Sequence, residues 1–248
     1  MVGRVWPRHR QRGRRLNSVV SRYSMAPRES TGQLEGYSGN ASELIARYEA
    51  IGFTEKHEAL LPLIPPRCSR ALDIGAGAGG DAAWLAAQGH DVVAVEPTPE
   101  FRTYARQRYC SPRIEWVDDR LPYLQRVASR LQTFDVILIS AVWMHLEQRD
   151  RARAMPIVAS LLSPRGLLYI SLRHGPVPKG RTMFEVSAAE TVADAQRSGL
   201  EPVLHRDAIS AQRANRKAGV TWSQLAFVKR INIAPAHGIS GEAAWPFS

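Results

Sequence analysis

The chain has little cysteine, little lysine and no long apolar run. Two cysteines, Cys68 and Cys110, stand among 248 residues. They can form one bridge at most, which excludes a disulfide scaffold and a multi-cysteine zinc site and suits a reducing, cytoplasmic compartment. The longest apolar run, Val136 to Met144, is about half of what a membrane-spanning helix requires, so no spanning segment is expected. No His/Asp/Glu cluster shows metal-ligand spacing, and no metal is expected. Four lysines accompany 29 arginines, a coding bias that weakens any functional reading of arginine counts. Acid is missing altogether from residues 1–28, where eight arginines stand.

That segment carries most of the formal charge of +10, because the rest of the chain holds 25 basic against 23 acidic residues. The basicity therefore belongs to a tail and not to the body. Such a tail suits a nucleic acid, an anionic surface or a targeting role. The simplest expectation is a disordered tail with the natural start at Met25. The body, by contrast, is ordinary. At 44% hydrophobic and 23% charged residues, the chain has globular composition and enough length to bury a core.

Apolar residues recur at helical spacing from Ala41 to about Ile64, broken by Gly52 and closed by Pro62, Pro65 and Pro66. This stretch reads as one or two lead-in helices. A regular alternation follows. Strands are expected at Arg70–Ile74, Asp91–Val95, Arg113–Val117, Phe134–Ser140, Leu167–Leu172, Pro202–Arg206 and Thr221–Val228. Helices are expected at Asp81–Gln88, Thr98–Tyr109, Leu121–Leu131, Arg149–Leu162 and Ser187–Ser198, with Thr98 placed to cap the second of them. Strands alternating with helices indicate an α/β protein with a mainly parallel, doubly wound sheet.

The first strand runs into a glycine cluster, Ala71-Leu-Asp-Ile-Gly-Ala-Gly-Ala-Gly-Gly80. Glycines at such a turn let backbone approach a nucleotide where a side chain would block it. The cluster fits both G-x-G-x-G and the dinucleotide pattern G-x-G-x-x-G. Glu96 ends the second strand and can accept hydrogen bonds from both ribose hydroxyls, which indicates adenosine with either cofactor. Asp73 discriminates. A carboxylate beside a pyrophosphate would repel it, whereas a cationic sulfonium amino acid gains from one. Asp73 could alternatively cap the loop's own amides.

These residues resemble the class I S-adenosylmethionine-dependent methyltransferase family. Later segments agree: Trp116-Val-Asp-Asp-Arg-Leu-Pro122 is similar to its third-strand end, and Phe134-Asp-Val-Ile-Leu-Ile-Ser-Ala-Val-Trp-Met-His145 to its fourth strand and active-site loop. Leu161-Leu-Ser-Pro-Arg-Gly-Leu-Leu168 is similar to its turn into the fifth strand. The resemblance covers about Leu60 to Arg230. It implies a Rossmann-like sheet of seven strands in the order 3-2-1-4-5-7-6 with the last strand antiparallel. It implies S-adenosylmethionine held by Asp73, Gly75, Gly77, Glu96, Ser140 and one of Asp118 and Asp119, with Asp118 preferred on the adenine. Charge, spacing and resemblance together divide the chain into a basic tail expected to be disordered (1–28), lead-in helices (29–66), a methyltransferase domain (67–231) and a C-terminal tail (232–248).

Methyl transfer from a sulfonium is an in-line displacement that depends mostly on alignment, with a base needed only when the acceptor must lose a proton. His145, just past the fourth strand, is the candidate base; ordering its own loop is the alternative. Trp143 is a candidate pocket wall, and Arg173 and His174 at the fifth strand's end are candidates for an acidic substrate group. Tyr37 and Tyr48 are candidates for a lid. No Asn-Pro-Pro-Tyr segment, loop cysteine or Lys-Asp-Lys-Glu set is present, which disfavours nucleic-acid acceptors. A small molecule methylated on oxygen or nitrogen remains. The rivals are a nicotinamide-dependent oxidoreductase and a nucleic-acid or protein methyltransferase tethered by the arginine tail.

Overall fold

The computed structural model describes residues 41–230. The expected tails at 1–28 and 232–248, and Tyr37, lie outside them. Two short helices lead in, α1 (Ala41–Glu49) and α2 (Phe53–Lys56), separated at Gly52 and followed by a 3-10 turn at Leu61–Leu63. The alternation then runs β1 (Arg70–Ile74), α3 (Gly80–Ala87), β2 (Asp91–Val95), α4 (Pro99–Arg108), β3 (Ile114–Val117), α5 (Gln125–Ala128) and β4 (Phe134–Ser140). A 3-10 turn at Trp143–His145 leads to α6 (Gln148–Leu161), β5 (Leu162–His174), α7 (Ala188–Arg197), β6 (Leu200–Ile209), α8 (Arg213–Lys217) and β7 (Thr221–Lys229). No helix among the described residues is long and apolar enough to cross a membrane.

The seven strands form one sheet in the order β3-β2-β1-β4-β5-β7-β6. Pairs among β1 to β5 are parallel, whereas β7 runs antiparallel to both β5 and β6. The antiparallel insertion is possible because α8 is too short to act as a crossover between β6 and β7. Side chains alternate across each strand, so β1 and β4 feed two cores. Leu72, Ile74, Ile137 and Ile139 join Met155 and Val158 of α6 and Ala195 of α7 on one face. Ala71, Val136 and Leu138 join Ala82 and Leu85 of α3, with Phe53 and Leu60, on the other.

Two local expectations need correction. The helix expected over Leu121–Leu131 reduces to α5, because Leu124 sits at φ 47 and breaks the helical path immediately before Gln125. The turn expected at Ser163–Gly166 is a distortion within β5 instead. The pairing steps from Phe134 with Leu162 to Val136 with Leu167, and the surplus residues bulge out with Arg165 at φ 64.

Candidate active site

All of the carboxyl ends of the parallel strands meet at one edge, where a doubly wound sheet opens to ligand. The glycine turn after β1 is held to β2 by hydrogen bonds from the Gly75 and Ala76 amides to the Val95 carbonyl, 2.8 and 2.9 Å. Gly75 adopts φ +76, and a Cβ there would lie 2.4 Å from Val142 Cγ2, so the close approach of the β4 loop itself demands glycine. Gly77 also has positive φ, and Tyr48 of α1 lies 3.8 Å from where its Cβ would be. The Tyr48 ring in turn stacks on Phe101 at 6.0 Å. Tyr48 thus packs against the glycine loop.

Glu96 is buried at the end of β2. One of its carboxylate oxygens accepts the Gly77 amide and the other accepts the Thr98 amide, each at 2.8 Å. Thr98 is the N-cap position of α4, yet its side chain makes no capping bond. Burial pushes the Glu96 carboxyl up, while the Thr98 and Gly77 hydrogen bonds work against that rise. Each oxygen keeps acceptor capacity beyond one amide. The neighbouring acids separate by role. Asp119 accepts the Arg120, Arg126 and Val127 amides and so fastens the start of α5. Asp118 is half-exposed and paired with Arg102 at 3.2 Å, and Arg102 also donates to the Glu96 carbonyl at 2.6 Å. Asp118, not Asp119, is therefore the acid presented at the β3 end.

Asp73 is 1% exposed, and its Oδ2 has no hydrogen-bond partner. Burial, reinforced by the charge of Asp81, pushes its carboxyl well above the usual range. A buried acceptor left open is expensive unless a ligand donor meets it.

Beyond β4, Ala141 at φ 59 turns the chain so that Val142 meets the glycine loop. Its amide donates to Ser171 Oγ at 2.9 Å, while Ser140 pairs with Ser171 across the sheet. Trp143 departs from its expected place as a pocket wall: its side chain is wholly buried in the core beside Met144 and Leu146. His145 is half-buried at the edge, with Nδ1 2.7 Å from the Thr182 carbonyl. A carbonyl only accepts, so Nδ1 carries the hydrogen and, in the neutral ring, Nε2 carries the lone pair. Burial lowers the proton affinity of His145; the Thr182 bond opposes this, and Arg181 and Arg173 add to it. Arg173 and His174 do not act together. Successive strand residues point apart, and His174 Nε2 lies 2.9 Å from Ser223 Oγ, which donates to Asp207. Arg173 lies 4.0 Å from Met183 Sδ, on the side of His145.

Sequence reasoning missed a buried polar cluster behind the glycine turn. Asp81, in the first turn of α3, accepts Lys56 Nζ at 2.6 Å and meets His57 Nε2 at 2.9 Å. His57 Nδ1 lies 3.2 Å from the Tyr169 hydroxyl, and Gln224 donates to the Lys56 carbonyl at 2.9 Å. The available signal was an acid one residue beyond the glycines and a Lys-His pair in the lead-in region. Their meeting is a tertiary event.

Residues 72–170 match the family profile described as a methyltransferase domain. An uncharacterized methyltransferase of Mycobacterium tuberculosis is 33% identical over 111 residues, 45% of this chain and 42% of that protein. The match thus spans less than half of that relative's length. A solved Burkholderia thailandensis 1,6-didemethyltoxoflavin-N1-methyltransferase, with 1,6-didemethyltoxoflavin and S-adenosylhomocysteine bound, superposes with a TM-score of 0.56 at 22% identity, covering 84% of this chain and 93% of that one. The N-methyltransferase NodS of Bradyrhizobium japonicum, bound to S-adenosylhomocysteine, gives 0.56 at 18% identity, covering 77% and 98%. Residues 72–170 thus resemble a methyltransferase domain, and the fold is shared with methyltransferases solved with S-adenosylhomocysteine bound.

The methyltransferase cofactor fits the residues present. The orphaned Asp73 oxygen suits a cationic amino-acid end, the glycine turn leaves room that a Cβ would fill, and Glu96 suits a ribose. A pH dependence follows from Asp73. The α-ammonium group of the ligand prefers the ionised carboxylate, so its binding must displace the proton that the raised affinity of Asp73 retains. Calorimetry with S-adenosylhomocysteine should show affinity rising with pH through the range above the ordinary Asp value of about 4. Asp73→Asn should flatten that rise and weaken binding; an identical slope in the variant would remove Asp73 from the linkage.

Proposed function

We propose that this methyltransferase transfers a methyl group from S-adenosylmethionine to an oxygen or nitrogen atom of a small molecule. One observation carries the reading: the glycine turn is held by buried Glu96 and follows a strand whose buried Asp73 keeps an open oxygen, with His145 at the same sheet edge. When bound, the sulfonium supplies an intrinsically electrophilic methyl group. The protein's own part is to hold, align and exclude water. Asp73, Gly75, Gly77, Glu96, Asp118 and Ser140 form the donor side, and Tyr48 roofs it. His145 is the base this reading requires, taking a proton from a hydroxyl as the new bond forms or from an ammonium before its nitrogen attacks. The half-buried side chains at this edge suit a small acceptor better than a polymer, which requires a broad charged groove.

Calorimetry against S-adenosylhomocysteine and a nicotinamide dinucleotide tests the donor assignment. S-adenosylhomocysteine should bind, and the dinucleotide should not. Glu96→Ala should weaken the first by about 1–3 kcal/mol, the loss of a buried charged hydrogen bond. Unchanged affinity would mean that this acid does not meet the ribose. A screen of metabolite extracts with labelled donor, read by mass spectrometry, then finds the acceptor.

A further inference from the structure

α6 buries Ala154, Met155, Val158 and Ala159 along one side, and the position one turn earlier on that side holds Arg151, 3% exposed. An apolar residue is expected there. Arginine is unfavourable at this place on two counts. Its charge leaves water, and it lies near the N-terminal end of a helix, whose dipole disfavours cations. The arginine-rich composition does not account for it. Arg149 and Arg153 of the same helix are exposed and pair with Glu147 and Asp150, their near neighbours in sequence.

The partners of Arg151 explain the choice. Its guanidinium donates to the Leu146 carbonyl at 2.7 Å and to the Glu185 carbonyl at 3.3 Å, and Glu190 in the first turn of α7 lies 3.6 Å away. Three segments therefore converge on one planar fork: the 3-10 turn after β4, the chain that leaves β5, and the start of α7. Two further bonds close the first two segments on each other. The Phe184 amide donates to the Met144 carbonyl at 2.8 Å, and His145 Nδ1 lies 2.7 Å from the Thr182 carbonyl. His145 stands between Met144 and Leu146, so the Phe184 and Arg151 bonds set the spacing at which the imidazole meets Thr182.

We propose that Arg151 is a positioning residue for His145, clamping the turn that carries the imidazole to the segment that carries the Thr182 carbonyl. The inference rests on the methyltransferase reading, in which His145 is the base, and adds what keeps that base in one form. The hydrogen bond at one ring nitrogen decides which nitrogen carries the hydrogen. A carbonyl held at Nδ1 keeps the hydrogen there and leaves Nε2 basic. A carbonyl that drifts away selects neither form. Arginine suits the task because its rigid fork bridges two carbonyls at once, whereas a lysine ammonium is a point charge on a flexible stem. The competing role is neutralisation of Glu190 alone, which either cation would fill.

Heteronuclear spectra of the histidine ring nitrogens in the full chain separate the two roles, with His145 assigned by its loss in His145→Gln. They are recorded above the ordinary His value of about 6.5, where the ring is neutral. The wild type should show the Nδ1–H form at His145. Arg151→Met and Arg151→Lys should each lose that signature in favour of a mixture of forms. Glu190→Gln, which leaves the fork on both carbonyls, should retain it. A single cooperative thermal transition checks the fold of each variant; if Arg151→Met lacks one, Arg151→Lys carries the test. An intact Nδ1–H form in Arg151→Lys would overturn the proposal, since charge alone would then suffice. So would its loss in Glu190→Gln, or its absence from the wild type. Calorimetry with S-adenosylhomocysteine keeps the two readings apart: affinity should stay within about threefold in every variant, and a wild type that does not bind it would defeat the methyltransferase reading while the spectra still decide the clamp.

Discussion

His145→Ala should slow methyl transfer by about 10²–10⁴-fold once the acceptor is in hand, the range typical of losing a positioned general base. The direction of the pH effect is set by the site. Burial holds the imidazole below its ordinary proton affinity, the charges of Arg181 and Arg173 push the same way, and the Thr182 hydrogen bond only partly opposes them. The ring is therefore neutral at pH 7 and able to accept a proton. In the wild type, kcat/KM should climb with pH through a limb below the ordinary His value of about 6.5, as the imidazolium loses its proton. The variant should lack that limb. His145→Gln, which keeps a polar side chain at the Thr182 carbonyl but has no basic nitrogen, should be as slow as alanine. A loss smaller than about tenfold, with the limb intact, would make alignment the whole mechanism and His145 a loop residue.

The legibility of this protein in its sequence follows the distance over which each feature is decided. β4 could be read off because FDVILIS is apolar nearly throughout, as a strand buried on both faces must be, and the glycine turn because its backbone requires residues without Cβ. The strand order came from resemblance to a family, since periodicity fixes elements and not their neighbours. Leu121–Leu131 misled because its apolar spacing is helical while Leu124 leaves the helical region. Arg173 and His174 are neighbours in sequence, and the alternation of β5 parts them. Tyr48 and Arg181 are 133 positions apart and meet only when α1 and the segment after β5 close over the glycine loop. Buried Trp143 shows the opposite difficulty: an aromatic at an active-site loop is as useful to the core as to a ligand.

The other large effect is expected at Asp81, whose role is positional. Asp81→Ala leaves Lys56 without its partner and His57, 2% exposed, without the carboxylate that faces its Nε2. Removing one member of a buried ion pair typically costs about 3–5 kcal/mol, which for a domain of this size lowers the midpoint by about 6–20 °C. Lys56 is nearly a third exposed, so solvent screens its share and most of the loss belongs to His57. The acid side of the stability curve distinguishes this from plain loss of packing. Burial alone would raise the Asp81 carboxyl, but the charges of His57 and Lys56 and their hydrogen bonds outweigh it and hold the group well below the usual range. Such a group contributes stability that is present above its unfolded value of about 4 and is lost as pH falls from there toward the folded value. Urea titrations between pH 7 and pH 3 should therefore show the wild type losing more stability than Asp81→Asn, which keeps the shape but cannot titrate. Parallel curves would deny the coupling. Because Asp81 opens the helix that follows the glycine turn and its charge acts on Asp73, Asp81→Asn should also lower the proton affinity of Asp73 and shift the pH dependence of S-adenosylhomocysteine binding downward. A variant that is less stable yet binds with an unshifted pH profile would confine Asp81 to holding α2 against α3.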